Sequence, residues 1–162
     1  MTGRAPAPRE WHGPRRARGL ATVEFAVTAP LLLFLILGVS EVGRAIFHYA
    51  TLSHLVRDAA RYVTENSIAG TTGVVEISAT TIDRARNLAV YGNINGAGQP
   101  KLPAFAPEHV QVIDTGGNNI QVTANYPYQP MLGATLPNFG LSSQPTALDI
   151  ILQIAVTMRA IS

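Results

Sequence analysis

Sixteen consecutive residues, Phe25 to Ser40, carry no charge, and they include the run Leu31-Leu32-Leu33-Phe34-Leu35-Ile36-Leu37. A run of that kind has to be covered by a core or by lipid. As a helix, sixteen residues rise about 24 Å, short of a hydrocarbon layer of about 30 Å. Leu20 to Val23 extend the apolar path, so a membrane-spanning helix over 20–43 is predicted, with Glu24 near one interface and Glu41 near the other. Arg15, Arg16 and Arg18 precede the run and assign the N-terminus to the cytoplasmic side, which leaves everything after the span outside. Pro30 stands inside the run; in lipid an interior proline kinks a helix more often than it ends one.

The charge is distributed unevenly. The first 19 residues hold five Arg and one Glu, a net +4, and the remaining chain holds seven basic against nine acidic residues, a net −2. A main body without clustered Lys and Arg excludes a nucleic-acid surface. The absence of Cys excludes a disulfide scaffold, a thiolate metal site and a cysteine nucleophile. Residues 1–19, rich in Pro, Ala and Arg and without apolar period, read as a basic leader that is disordered or removed. At 162 residues there is room for one small domain beyond such appendages.

From Arg44 the apolar positions become Ala45, Tyr49, Leu52, Val56, Ala59 and Val63, spaced four and three apart. That is a helical stripe, and no Gly or Pro interrupts it before Gly70. The span is therefore predicted to continue as an amphipathic helix over 44–68, about 70 Å in all from Leu20 to Asn66. Residues 69–162 read as a small α+β head. Thr80-x-x-Asp83 resembles a capping box for a helix at 79–91 that Gly92 stops, and 92–108, with three Gly and three Pro, reads as loop. Val110 and Val112, the turn Thr115-Gly116-Gly117-Asn118-Asn119, and alternating Ile120, Val122, Ala124 and Tyr126 form a β-hairpin signature. After a second Pro- and Gly-rich loop, the even positions from Leu148 to Met158 are all apolar, a final strand. The fold class is α+β: a long N-terminal membrane helix continuing into an amphipathic one, packed on a small antiparallel sheet.

An Arg cluster, then Gly19, four uncharged residues, Glu24 and an apolar helix resemble the class III signal of type IV pilins and pseudopilins. Val23-Glu24-Phe25-Ala26, Ala29-Pro30-Leu31-Leu32-Leu33, Gly38-Val39-Ser40-Glu41 and Gly43-Arg44-Ala45 narrow this. With Asp58-Ala59-Ala60-Arg61-Tyr62, they resemble the TadE-like pseudopilins of tight-adherence (Flp) pilus systems over about residues 18–63. The resemblance implies a pilin-like fold and a non-enzymatic minor pseudopilin. It implies cleavage by a prepilin peptidase between Gly19 and Leu20, with Glu24 then fifth in the mature chain. The implied partners are other pilins or pseudopilins and an inner-membrane assembly platform, with no cofactor. Glu24 would be neutralised by the new α-amino group at Leu20 of the same chain or a neighbour; Phe25 either anchors register or fills the bilayer.

Two other functions stay open at this level. The run could be an ordinary secretory signal, cut after Gly38-Val39-Ser40, or a plain anchor for an envelope enzyme or binding domain. A charge at Glu24 and the unbroken helical pattern across Ser40 argue against the cut. The chain could also be a minor pseudopilin of a type II secretion system. Among residues that bear chemistry, Arg57, Asp58 and Arg61 have the spacing of a solvated face. His54 and Asp58 lie four apart without a third metal ligand at a telling distance. His109 and Asp114 flank a strand, Ser142 and Ser143 lie in a loop, and no nucleophile elbow, HExxH, P-loop or Rossmann glycine pattern is present. Tyr49, Tyr62, Tyr126 and Tyr128 read as packing residues between helix and sheet.

Overall fold

The computed structural model describes residues 17–67, 76–131, 133, 135–136, 146–147 and 150–160. The leader up to residue 16, Arg15 and Arg16 included, therefore lies outside the described residues, as do Ser142, Ser143, Leu148 and Asp149. The chain divides into two compact units, one ending at Val39 and one running from Ser40. We call the second unit the head.

A single helix, α1, runs Ala17–Asn66 and passes through Pro30 without a break. Proline has no N–H to give back to the preceding turn. Just ahead of it, the Thr28 hydroxyl donates to the Glu24 carbonyl at 2.9 Å and lies 3.4 Å from that of Phe25. In the first unit α1 displays its side chains: from Leu20 to Leu37 only Ala29 is even partly covered. At the far end the Asn66 side chain donates to the Tyr62 carbonyl at 2.8 Å, and the carbonyl of Ser67, a fully buried residue, accepts the Glu76 N–H at 2.8 Å.

In the head, α1 buries Leu52, Val56, Ala59, Ala60 and Val63. The predicted stripe differs at one position: Tyr49 is half exposed and His48 is buried. Positions 45–48–52 and 45–49–52 obey the helical period equally well, and the inward place goes to the residue for which the core holds a polar partner, described below. Tyr62 is partly buried against the core, as expected.

Helix α2 (Ala79–Tyr91) has the predicted limits but a different cap. Ser78, in extended conformation, accepts the Thr81 N–H at 3.1 Å, and Thr80 is already inside the helix. Asp83 faces solvent, 3.5 Å from Arg86. Gly92 ends α2 in the left-handed region (φ 73°) and returns its N–H to the Leu88 carbonyl at 2.9 Å. The loop that follows is tied by Asn93, whose side chain both donates to and accepts from the Ala97 backbone. It then sends Leu102 and Phe105 into the core, each 1% exposed. A 3₁₀ turn at Pro107–His109 leads into the sheet.

Strands β1 (Val110–Gly116) and β2 (Asn119–Tyr128) form the predicted hairpin, and β5 (Ile150–Arg159) pairs on the other side of β2, giving the antiparallel order β1-β2-β5. The turn uses positive φ at Gly116, Gly117 and Asn118, and the Asp114 carboxylate accepts the Gly116 N–H at 2.7 Å. β2 buries Ile120, Val122, Ala124, Tyr126 and Tyr128, and β5 turns its even positions to the same side, as the alternation required. β1 pairing ends at Ala124, so Pro127, which cannot donate to a ladder, sits where β2 is open on one side. The second loop contains two short strands that the sequence pattern does not predict, β3 (Thr135–Leu136) paired with β4 (Thr146–Ala147). The architecture is α+β and pilin-like: a long N-terminal apolar helix, a second helix and a small three-stranded antiparallel sheet.

Candidate functional site

Gly19, Leu20, Glu24 and Phe25 all stand on the first turns of α1 and all are exposed. Gly19 is helical, and a Cβ added to it would meet nothing within 4 Å. Packing therefore gives no reason for a glycine there. Among the described residues no cation pairs with the Glu24 carboxylate.

The head contains a polar cluster that the motifs of the sequence do not single out. Glu41, one turn beyond Leu37 on α1, accepts through Oε1 from the Tyr128 hydroxyl and through Oε2 from the Met131 N–H at 3.0 Å. One turn further, Arg44 donates from Nη2 to the Gln129 carbonyl at 2.6 Å, with its guanidinium 5.6 Å from the Tyr128 ring centre. Its Nε is buried and has no hydrogen-bond partner among the described residues. Next along the same face, His48 Nδ1 lies 3.1 Å from the Tyr126 hydroxyl, and its ring meets Tyr128 edge-on at 5.4 Å. Both tyrosines are buried, as expected of packing residues, but they also carry the partners of α1. Hydrogen bonds to charged groups contribute about 1.5–3 kcal/mol, and of the two on Glu41 the part-buried one from Tyr128 is the more enclosed.

Burial disfavours the imidazolium of His48 and lowers its pKa, with the Arg44 charge adding to the shift and Glu41 opposing it. The Tyr128 hydroxyl is pushed up to about 12, first by burial and then by the hydrogen bond it donates to Glu41. Burial also raises Tyr126. At neutral pH the imidazole and the two phenols of the cluster are thus neutral. The hydrogen bond between Nδ1 and the Tyr126 hydroxyl fits either neutral tautomer of His48, since a phenol both donates and accepts.

The remaining candidates are dispersed. His54, Arg57, Asp58 and Arg61 are exposed on α1. His109 accepts the Ala106 N–H and stacks on Phe105 at 6.2 Å, whereas Asp114 is engaged at the opposite end of β1. Among the described residues no group of three His, Asp or Glu side chains is placed to hold a metal ion. The signal that could have exposed the cluster is a polar set, Glu41, Arg44 and His48, at intervals of three and four on the stripe that continues into the core.

Residues 19–61 match the family model described as TadE-like protein. Most of the long helix is thus similar to TadE-like proteins. The match takes in about a quarter of the chain, from Gly19 through the buried pair Ala59 and Ala60. It thus includes Glu24 as well as the Glu41, Arg44 and His48 set. TadE-like proteins are pilus components, so the match associates this chain with tight-adherence pili. No curated protein and no solved structure matches the chain. Within the TadE-like region, Glu41 and Arg44 serve the fold itself by fastening α1 to the end of β2.

Proposed function

We propose that this TadE-like chain is a minor pseudopilin or assembly protein of a tight-adherence pilus. The carrying observation is the coincidence of the TadE-like match with one unbroken helix whose first unit is apolar and exposed, with Glu24 at the start of the charge-free run. In this reading α1 spans the inner membrane once, with the N-terminus cytoplasmic and the head outside. The helix is long and apolar enough to cross a bilayer, with a mean hydropathy of 2.2 over its best window.

A prepilin peptidase hydrolyses the Gly19–Leu20 bond, leaving a carboxylate on Gly19 and a new α-ammonium on Leu20. Two observations support this: the fold does not need a glycine at 19, and Gly19 and Leu20 are exposed. A carboxylate close to lipid costs up to a few kcal/mol unless paired, so Glu24 requires a cation. Cleavage creates one, four residues away in sequence or on a neighbouring subunit, which makes processing the step that licenses helix–helix assembly. Phe25, 71% exposed, then has neighbouring helices or lipid as its cover. Continuity of α1 across Ser40 supports retention of the span over release by a signal peptidase.

The test is the N-terminal residue of the membrane-extracted protein, read by mass spectrometry in cells with and without the prepilin peptidase. The expected start is Leu20, lost without the peptidase; Glu24→Gln should be cut normally yet recovered at a fraction of the wild-type level in pilus-associated material. A start at Glu41 or an uncut chain would overturn the reading.

A further inference from the structure

The apolar surface of α1 does not end at its first charges. From Phe25 to Ser53, 29 residues, the only charged side chains are Glu41 and Arg44, and both are engaged by Tyr128, Gln129 and Met131 of the head. The next charges, Arg57 and Asp58, are exposed. Twenty-nine helical residues rise about 43 Å, more than the roughly 30 Å hydrocarbon layer but close to the 40–45 Å that includes both headgroup zones. Within the head, Val42, Ile46, Phe47 and Tyr49 remain uncovered, Phe47 at 68% exposure. Beside Glu41, Met131 is 75% exposed at the end of the backbone that Glu41 and Arg44 hold.

We propose that these five side chains form a collar that seats the head in the interfacial layer of the phospholipid bilayer, one to two turns deeper than a boundary at Glu41 would place it. This rests on the membrane-spanning reading above. Three observations select lipid as the occupant. The collar continues the apolar run without an intervening exposed charge. The length of that run matches a bilayer with its headgroup zones. Both Glu41 oxygens accept hydrogen bonds and Arg44 Nη2 donates to the Gln129 carbonyl, so immersion keeps these bonds and its cost falls on the Arg44 Nε, which has no partner among the described residues. Tyr49 supplies the kind of aromatic side chain that favours the membrane–water interface, where a phenol keeps its hydroxyl wet while its ring is covered, and Phe47 adds apolar area beside it.

The chain has no Cys, so single labels can be introduced without competition. Leu33→Cys, Phe47→Cys and Arg57→Cys, each in the full chain, would carry an environment-sensitive fluorophore in phosphatidylcholine–phosphatidylglycerol vesicles. Aqueous iodide and nitroxide-labelled lipids of different depths would be the quenchers. The label at 33 should resist iodide and respond to deep nitroxides. The label at 47 should be several-fold less sensitive to iodide than that at 57, and most sensitive to shallow nitroxides. Iodide sensitivity at 47 equal to that at 57 would overturn the collar while leaving the span intact. Shielding at 47 from both quenchers would also overturn it, showing a second protein copy as the cover. Iodide access at 33 would remove the span itself, and the collar with it.

Discussion

His48 shows how one side chain can couple the head to pH. Its pKa lies below the ordinary 6.5 because it is buried beside Arg44, with Tyr126, Tyr128 and Glu41 also around it. The unfolded chain therefore binds a proton more readily than the head does. Stability is full above about pH 6.5 and falls as pH drops below it, down to the lowered native value, where the loss levels off. The melting temperature of the head should decline between pH 7.5 and 5, and His48→Gln should flatten that decline while lowering the plateau at pH 7.5. An equal decline in the variant would remove His48 as its source. The residue was hidden in the sequence because Tyr49 satisfies the same helical period and is the more apolar choice. What decides between them is the Tyr126 hydroxyl, 78 positions away, and no local pattern reports a partner at that distance.

Among elements, α2 offers the sharpest test of local reading. Its limits were legible because a small amphipathic segment ends at a glycine, and the C-terminal stop at Gly92 is the one expected. The start was legible in place but not in agent. The capping-box pattern pointed to Thr80, whereas Ser78 accepts the Thr81 N–H and Thr80 only exchanges a hydroxyl contact with Ser78 at 2.8 Å. Ser78→Ala should cost about 1 kcal/mol in chemical denaturation. Thr80→Ala should stay within about 0.5 kcal/mol, as expected of an exposed site. The reverse ranking would restore the cap at Thr80. The final strand was readable because one face is buried and the period of two is unbroken. The β3–β4 pair was not, since two-residue strands carry too few positions to show a period.

Across the whole molecule, burial separates the two units. In the first, Leu33 is 60% exposed, and in the head Leu52 is fully covered. Leu52→Ala should lower head stability by about 2–5 kcal/mol, the cost of a lost core side chain and the cavity it leaves. Leu33→Ala, followed in detergent by the near-ultraviolet signal of the tyrosines, should leave it unchanged within about 0.5 kcal/mol. A comparable loss from Leu33→Ala would mean that the first unit contributes to the folded core. The long helix was legible because a charge-free run followed by a one-sided stripe determines it locally. The contribution of Leu102 and Phe105 was not, because a loop rich in Gly and Pro has no period to reveal which side chains turn inward.

The fastening of α1 to β2 has a mechanical side. Glu41 and Arg44 sit within one turn of the helix, and their bonds to Tyr128, Gln129 and Met131 lie next to one another. A pull on α1 therefore enters the head at one level and is shared among these links instead of being taken by each in turn. It is delivered to the end of β2, where β5 is the paired neighbour, and reaches β1 only through the pairs that begin at Ala124. Tension on α1 would thus reach Tyr128, Gln129 and Met131 together.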